Sequence, residues 1–156
     1  GMAAIAHTDI TTSQFVHVSS AGIYKLNDFN RCRFMRWNPK TNTSCPFKVG
    51  NNPGTFRAPE EYAYEDESEK VDVYSMGNIF YALLTGLWPF EELKSKKVKK
   101  LVKGGARPPI PEEILNSTDM FDQTLLNATR ACWIQDPEKR ATARQIQRYI
   151  ESQLLK

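Results

Sequence analysis

The pattern of apolar and polar positions divides the chain into a short β part and a longer α part. Phe15-Val16-His17-Val18 and Ile23-Tyr24-Lys25-Leu26 are rich in β-branched and aromatic residues and flank Ser19-Ser20-Ala21-Gly22. That arrangement predicts a β-hairpin over 15–26. Residues 27–57 are rich in Asn, Thr, Pro and Arg and hold no sustained period, which predicts a long functional or disordered loop. Ala58-Pro59-Glu60-Glu61-Tyr62 suits a short helix with Pro59 in its first turn, where the missing N–H costs nothing. Over 70–85, Val71, Tyr74, Ile79, Phe80, Leu83 and Leu84 cover most of the circumference. A helix apolar nearly all round is a buried one, and Gly86 and Pro89 stop it. A weaker amphipathic helix over 93–103 ends at Gly104-Gly105, and Arg107-Pro108-Pro109-Ile110-Pro111 must be extended. Asp119 or Ser117 can cap a helix running to about Trp133. Thr142 caps a last one, with Ile146, Tyr149, Ile150 and Leu154 on one face. The pattern predicts a hairpin, a long loop and a helical bundle around a buried central helix.

Length and composition narrow the class. A chain of 156 residues makes one domain with a real core, and its apolar, aromatic and charged fractions are those of an ordinary globular protein. The net charge of +3 is too small to imply nucleic-acid binding. Its distribution is more telling. Six basic residues and no acidic one lie over 29–57, a strongly acidic block follows over 60–72, and six lysines fall within 94–103. Such blocks are expected to be solvated faces, with an acidic partner surface as the other reading. The lysine run lacks interleaved aromatics, so nucleic acid is an unlikely ligand. Cys32, Cys45 and Cys132 form neither a disulfide framework nor a zinc motif. With no apolar run of membrane length and no signal peptide at the start, an intracellular, cytoplasmic setting without membrane contact is expected. Gly1 ahead of Met2 reads as a residue left by tag cleavage.

Five short motifs carry the chemistry. They are His7-Thr8-Asp9-Ile10-Thr11-Thr12-Ser13-Gln14, Asp28-Phe29-Asn30, Ala58-Pro59-Glu60, Asp72-Val73-Tyr74-Ser75-Met76-Gly77, and Cys132-Trp133-Ile134-Gln135-Asp136-Pro137-Glu138-Lys139-Arg140. Each alone is weak, and Asp9 or Asp28 could equally be turn residues. In this order the series resembles the protein-kinase catalytic loop, DFG, APE, the DxWxxG helix and CWxxDPxxRP. The resemblance runs from about Ile5 to the end. It implies a protein-kinase-like (α+β) fold, C-terminal lobe only, with a catalytic loop over 7–14, the hairpin over 15–26, an activation segment over 28–60 and a helical bundle over 58–156. Cys132-Trp133, the Arg107-Pro108-Pro109 stretch and Pro53 resemble the tyrosine-kinase and tyrosine-kinase-like groups. The catalytic loop fits neither group, so the acceptor hydroxyl stays open.

The roles follow by resemblance. Asp9 would accept or orient the substrate hydroxyl proton. Asp28 would hold magnesium bridging the nucleotide phosphates, Gln14 would stand where a second metal ligand belongs, and Val16 would line the nucleotide site. His7 and Phe29 would be structural. Asp72 would bond the catalytic-loop backbone, and Glu60 would form a buried ion pair with Arg140.

Four positions depart from the family pattern. Thr8 replaces an arginine that gathers activation-loop phosphate, and Thr11 replaces a lysine facing the transferred phosphate. Gln14 is one methylene longer than Asn, and Asn30 replaces a glycine; Asn tolerates positive φ best among non-glycine residues, so the turn there is expected to survive with less freedom. The sequence contains no Gly-rich phosphate loop, strand lysine or partner glutamate. The expectation is therefore a fragment or truncated product of an atypical kinase that binds neither ATP nor magnesium appreciably alone. The alternative is a pseudokinase-type module whose helical lobe docks a protein. The basic segment over 31–57 is expected to favour an acidic peptide or phosphate, and residues 33–52 are expected to be mobile.

Overall fold

The structure, a computed structural model, describes residues 5–155. Gly1 and Met2 lie outside them. Six short strands precede six helices. β1 is Ile5–Ala6, β2 Phe15–Val18, β3 Ile23–Leu26, β4 Arg33–Phe34, β5 Trp37–Asn38 and β6 Thr43–Ser44. The helices are α1 Pro59–Ala63, α2 Lys70–Thr85, α3 Ser95–Lys103, α4 Glu112–Leu115, α5 Met120–Cys132 and α6 Ala143–Leu154.

Helix α2 is the axis of the bundle. Its buried residues Val71, Val73, Tyr74, Ser75, Gly77, Asn78, Ile79, Phe80 and Tyr81 point in nearly every direction. Val71, Tyr74 and Tyr81 pack with Ala58, Tyr62, Val98, Val102 and Trp133 on one side. Val73 and Phe80 pack with Ala128, Cys132 and Ile146 on the other. Leu83, expected in the core, is 68% exposed. In the last turn Leu83 faces out of the bundle, while Ala82, Leu84 and Thr85 are partly covered. Leu154 is likewise 54% exposed, because it lies at the last residue of α6.

Gly77 sits where α2 meets the end of α5. A methyl group there would lie 2.7 Å from Cys132 Cβ and 2.8 Å from Trp133 Cδ1. Both belong to rigid core residues, so neither yields cheaply. Gly77→Ala is expected to lower stability by about 1–3 kcal/mol, the usual cost of overpacking. An unchanged urea midpoint would show that the contact between α2 and α5 is looser than described.

Caps and short pairings set the rest. The Asp119 carboxylate accepts from Phe121 N and Asp122 N, and the Thr142 hydroxyl accepts from Gln145 N, starting α5 and α6 where side-chain capping predicts. Helix α4 was not expected, because four residues with one buried apolar side chain, Ile114, make no periodic signal. The long loop also carries more structure than its composition suggests. β4 pairs antiparallel with β1, and β5 with β6, while β2 pairs with β3 in register Phe15↔Leu26 to Val18↔Ile23. Pairings this short leave no readable alternation. Within 33–52 only Met35, Val49 and Asn52 are buried.

The charge blocks divide differently from expectation. On α3 the lysines do form a solvated face over buried Val98 and Val102. In the acidic block, Glu60, Glu61 and Glu67 are buried instead, because guanidinium and backbone N–H partners meet them inside. Among the described residues no helix is long and apolar enough to cross a membrane.

Candidate active site

Asp72, in the first turn of α2, holds the loop 7–14 by its backbone. Its Oδ2 accepts from His7 N at 2.6 Å and its Oδ1 from Thr8 N at 2.8 Å. Thr8 itself has φ of 60°, an outlier for a β-branched residue. Such strain costs on the order of 1–3 kcal/mol and survives only where the surroundings over-determine it. Here they do. The Thr8 N–H is on Asp72, its hydroxyl donates to Arg31 O at 2.9 Å, and its carbonyl accepts from Arg57 Nη1.

The hairpin of β2 and β3 returns the chain to the loop it left. Asn27 N donates to Gln14 O at 2.8 Å, and His7 Nε2 donates to Asn27 O at 2.8 Å. The His7 ring also meets the Phe29 ring edge-on at 4.9 Å. Asp28 is thereby set beside the end of the loop, exposed and in a left-handed conformation with φ of 60°. The positive φ falls at Asp28 rather than at Asn30. Asn30 lies within a single 3-10 turn over Phe29–Arg31 that any residue can adopt. Val16, on β2, is 48% exposed.

Asp9 follows Thr8 with its side chain 21% exposed. Its Oδ1 accepts from Arg57 Nη2 at 2.7 Å. Gln14 Nε2 approaches its Oδ2 only to 3.5 Å. Arg57 was counted in the sequence as part of a basic docking surface. It is 2% exposed and spent internally, donating Nε to Pro53 O at 3.1 Å and lying 3.5 Å from Glu61 Oε1. The free positive surface is smaller than the residue count by that much. The clue in the sequence was a lone cation directly before Ala58-Pro59-Glu60, opposite a catalytic loop that has none.

Glu60 and Arg140, eighty positions apart, meet in the interior with Nη1 to Oε1 at 2.6 Å and Nη2 to Oε2 at 3.0 Å. Asn52 joins the stretch before α1 to that helix, donating to Glu61 O at 2.8 Å and Val49 O at 3.2 Å. Trp133 Nε1 donates to Asn78 Oδ1 at 3.0 Å. Asn52, Asn78 and Glu61 carried no sequence signal, since buried polar side chains have no period.

Burial pushes the Glu61 carboxyl up to about 8, against the opposing pull of Arg57 and of the Ala58 N–H. Burial likewise raises Asp72 to about 6 despite the two amides it accepts. Both groups hold protons more tightly folded than unfolded. Their stabilising contribution is complete below the unfolded carboxyl range and is lost as pH rises through the folded values. The urea midpoint is therefore expected to fall between pH 5 and pH 8, and Glu61→Gln to flatten that slope. A midpoint that rises across this window would contradict the assignment.

The protein kinase domain model matches residues 2–150. A probable serine/threonine-protein kinase of Dictyostelium discoideum is 34% identical over 149 residues, covering 95% of this chain and 15% of the relative. Mitogen-activated protein kinase kinase kinase 7 of Homo sapiens is 27% identical over 149 residues, covering 92% of this chain and 22% of the relative. The chain thus spans less than a quarter of the length of these relatives.

Proposed function

The chain belongs to the protein kinase family, and from that we propose that it is the C-terminal lobe of an atypical serine/threonine-protein kinase. Asp9 is the base for the acceptor hydroxyl, and Asp28 with Gln14 holds the metal side of the nucleotide phosphates. Val16 lines the nucleotide site. Serine or threonine is taken as the acceptor because the Dictyostelium discoideum relative above is named for it. The observation that carries the proposal is Asp9 itself. It is a partly exposed carboxylate at the end of a strained, fully tethered backbone turn, with one oxygen paired and the other nearly free.

The donors suit magnesium carried on ATP. Asp28 offers an exposed carboxylate with no hydrogen-bond partner among the described residues. No cluster of three or more His, Cys, Asp or Glu that could hold a metal occurs among them. Magnesium is bound in this way, through one or two carboxylates with phosphate and water completing the octahedron. When bound it neutralises charge on the phosphates. The chain's own residues orient the acceptor hydroxyl at Asp9 and take its proton there.

A second reading, a protein-binding module without turnover, is favoured by Thr11. Its hydroxyl hydrogen-bonds Ser13 Oγ at 2.8 Å, and the loop 7–14 itself carries no lysine or arginine to meet phosphate charge. The two readings separate in one assay: the chain joined to a kinase N-terminal lobe, with labelled ATP and serine and threonine peptides. Slow magnesium-dependent transfer, lost in Asp9→Ala and in Asp28→Ala, is expected. Nucleotide binding with no transfer would favour the module. Transfer indifferent to both substitutions would overturn the site.

A further inference from the structure

We infer that Arg57 is the positioning residue for Asp9, fixing its carboxylate by one oxygen and tying its alignment to the end of the activation segment. This rests on the reading of Asp9 as the base and assigns the cation that the catalytic loop itself lacks.

The contacts are asymmetric. Arg57 Nη2 lies 2.7 Å from Oδ1, and Arg31 Nε lies 4.0 Å from the same atom. Gln14 is the sole contact given for Oδ2 among the described residues, at 3.5 Å, too long for a good hydrogen bond. Neutralising Oδ1 while leaving Oδ2 open gives the carboxylate one defined face for an incoming hydroxyl. The same guanidinium grips Thr8 O through Nη1. The residue before Asp9 and the side chain of Asp9 are therefore set by one rigid fork.

Arg57 is itself held from several directions. Pro53 O accepts its Nε, its guanidinium carbon lies 4.5 Å from the centre of the Phe56 ring, and the side chain is buried. A buried guanidinium cannot shed its proton and needs a counter-charge. Glu61 is the other carboxylate in reach, at 3.5 Å, but burial favours its protonated form, which leaves Asp9 as the principal partner.

The fork also links Asp9 to the segment before α1. Pro53, Arg57 and Glu61 belong to one hydrogen-bonded stretch, which Asn52 and the Tyr62 hydroxyl, on Gly54 O at 2.8 Å, fasten to α1. Asp9 is aligned when this stretch is in place, and no phosphate on the segment is required. With threonine at position 8, that is how this chain orders its base.

The test uses the isolated chain and no nucleotide, so its outcome is independent of whether phosphotransfer is found. Three-bond couplings from Asp9 Cγ to its own N and carbonyl carbon report the side-chain rotamer. A single rotamer is expected in the wild type and averaging over several in Arg57→Ala, with Arg57→Lys restoring it only in part because an ammonium cannot span both acceptors. Amide exchange at His7 and Thr8, which reports the Asp72 contacts, is expected to stay within a few-fold. The reciprocal measurement covers loss of folding in the Arg57 variants. Asp9→Asn is expected to speed exchange of the Arg57 guanidinium protons by about tenfold or more, the weight of one charge-assisted hydrogen bond. One Asp9 rotamer in a folded Arg57→Ala chain, or Arg57 exchange unchanged in Asp9→Asn, would overturn the assignment.

Discussion

Arg140→Met is expected to remove a large share of the chain's stability and to lower its urea midpoint sharply. The Arg140 side chain is fully buried and makes bonds in four directions. It holds both oxygens of Glu60, donates Nη1 to Lys70 O at 2.8 Å, Nε to Ile134 O at 2.9 Å and Nη2 to Gln135 O at 3.3 Å. Its guanidinium and that of Arg107 each lie 5.1 Å from the centre of the Tyr74 ring. One side chain thus ties α1, the start of α2 and the turn after α5.

Methionine fills part of the volume but leaves the Glu60 carboxylate without its buried counter-charge. Removing one partner of a buried pair costs about 3–5 kcal/mol, against a total stability of about 5–15 kcal/mol for a typical domain. Glu60→Leu combined with Arg140→Met is expected to cost less than the two single changes added, since no charge is then stranded. Urea denaturation followed by circular dichroism checks both. A near-wild-type midpoint for Arg140→Met would mean that the pair is not holding the bundle together.

How much of this was legible in the sequence depends on range. The hairpin over 15–26, α2 over 70–85 and the caps Asp119 and Thr142 were readable because period and capping are local. The bounds of α2 were right but Leu83 was placed in the core, because apolar spacing cannot say where a neighbouring helix stops. The contacts of Asp72 with His7 and Thr8, and of Glu60 with Arg140, were reachable only through the motif resemblance. They join residues 64 to 80 positions apart, and no local pattern encodes that. Arg57 lay outside both routes. Its partners come from loops without periodicity, and counting it with Arg31 and Arg33 as surface charge hid the carboxylates it meets inside.

The second large effect is on turnover. The chain by itself is expected to show no measurable phosphotransfer and very weak binding of magnesium-ATP. In the proposed reading Asp28, Gln14 and Val16 would reach only one side of a nucleotide. Phosphoryl transfer is driven almost wholly by positioning and by charges gathered around the phosphates, and a half-built cage leaves the nucleotide free to tumble. The 156 residues contain no Gly-rich phosphate loop to complete it, and Thr11 supplies no cation. Joining an N-terminal lobe is expected to restore binding first and transfer second, with magnesium dependence lost in Asp28→Ala.

Calorimetry of this chain with magnesium and ATP, before and after an N-terminal lobe is joined to it, tests the central claim most directly. The account predicts no resolvable heat for the chain alone. After joining, it predicts magnesium-dependent binding that Asp28→Ala weakens. Tight binding by the chain alone, accompanied by turnover that Asp9→Ala removes, would show that this lobe works unaided and would contradict the account.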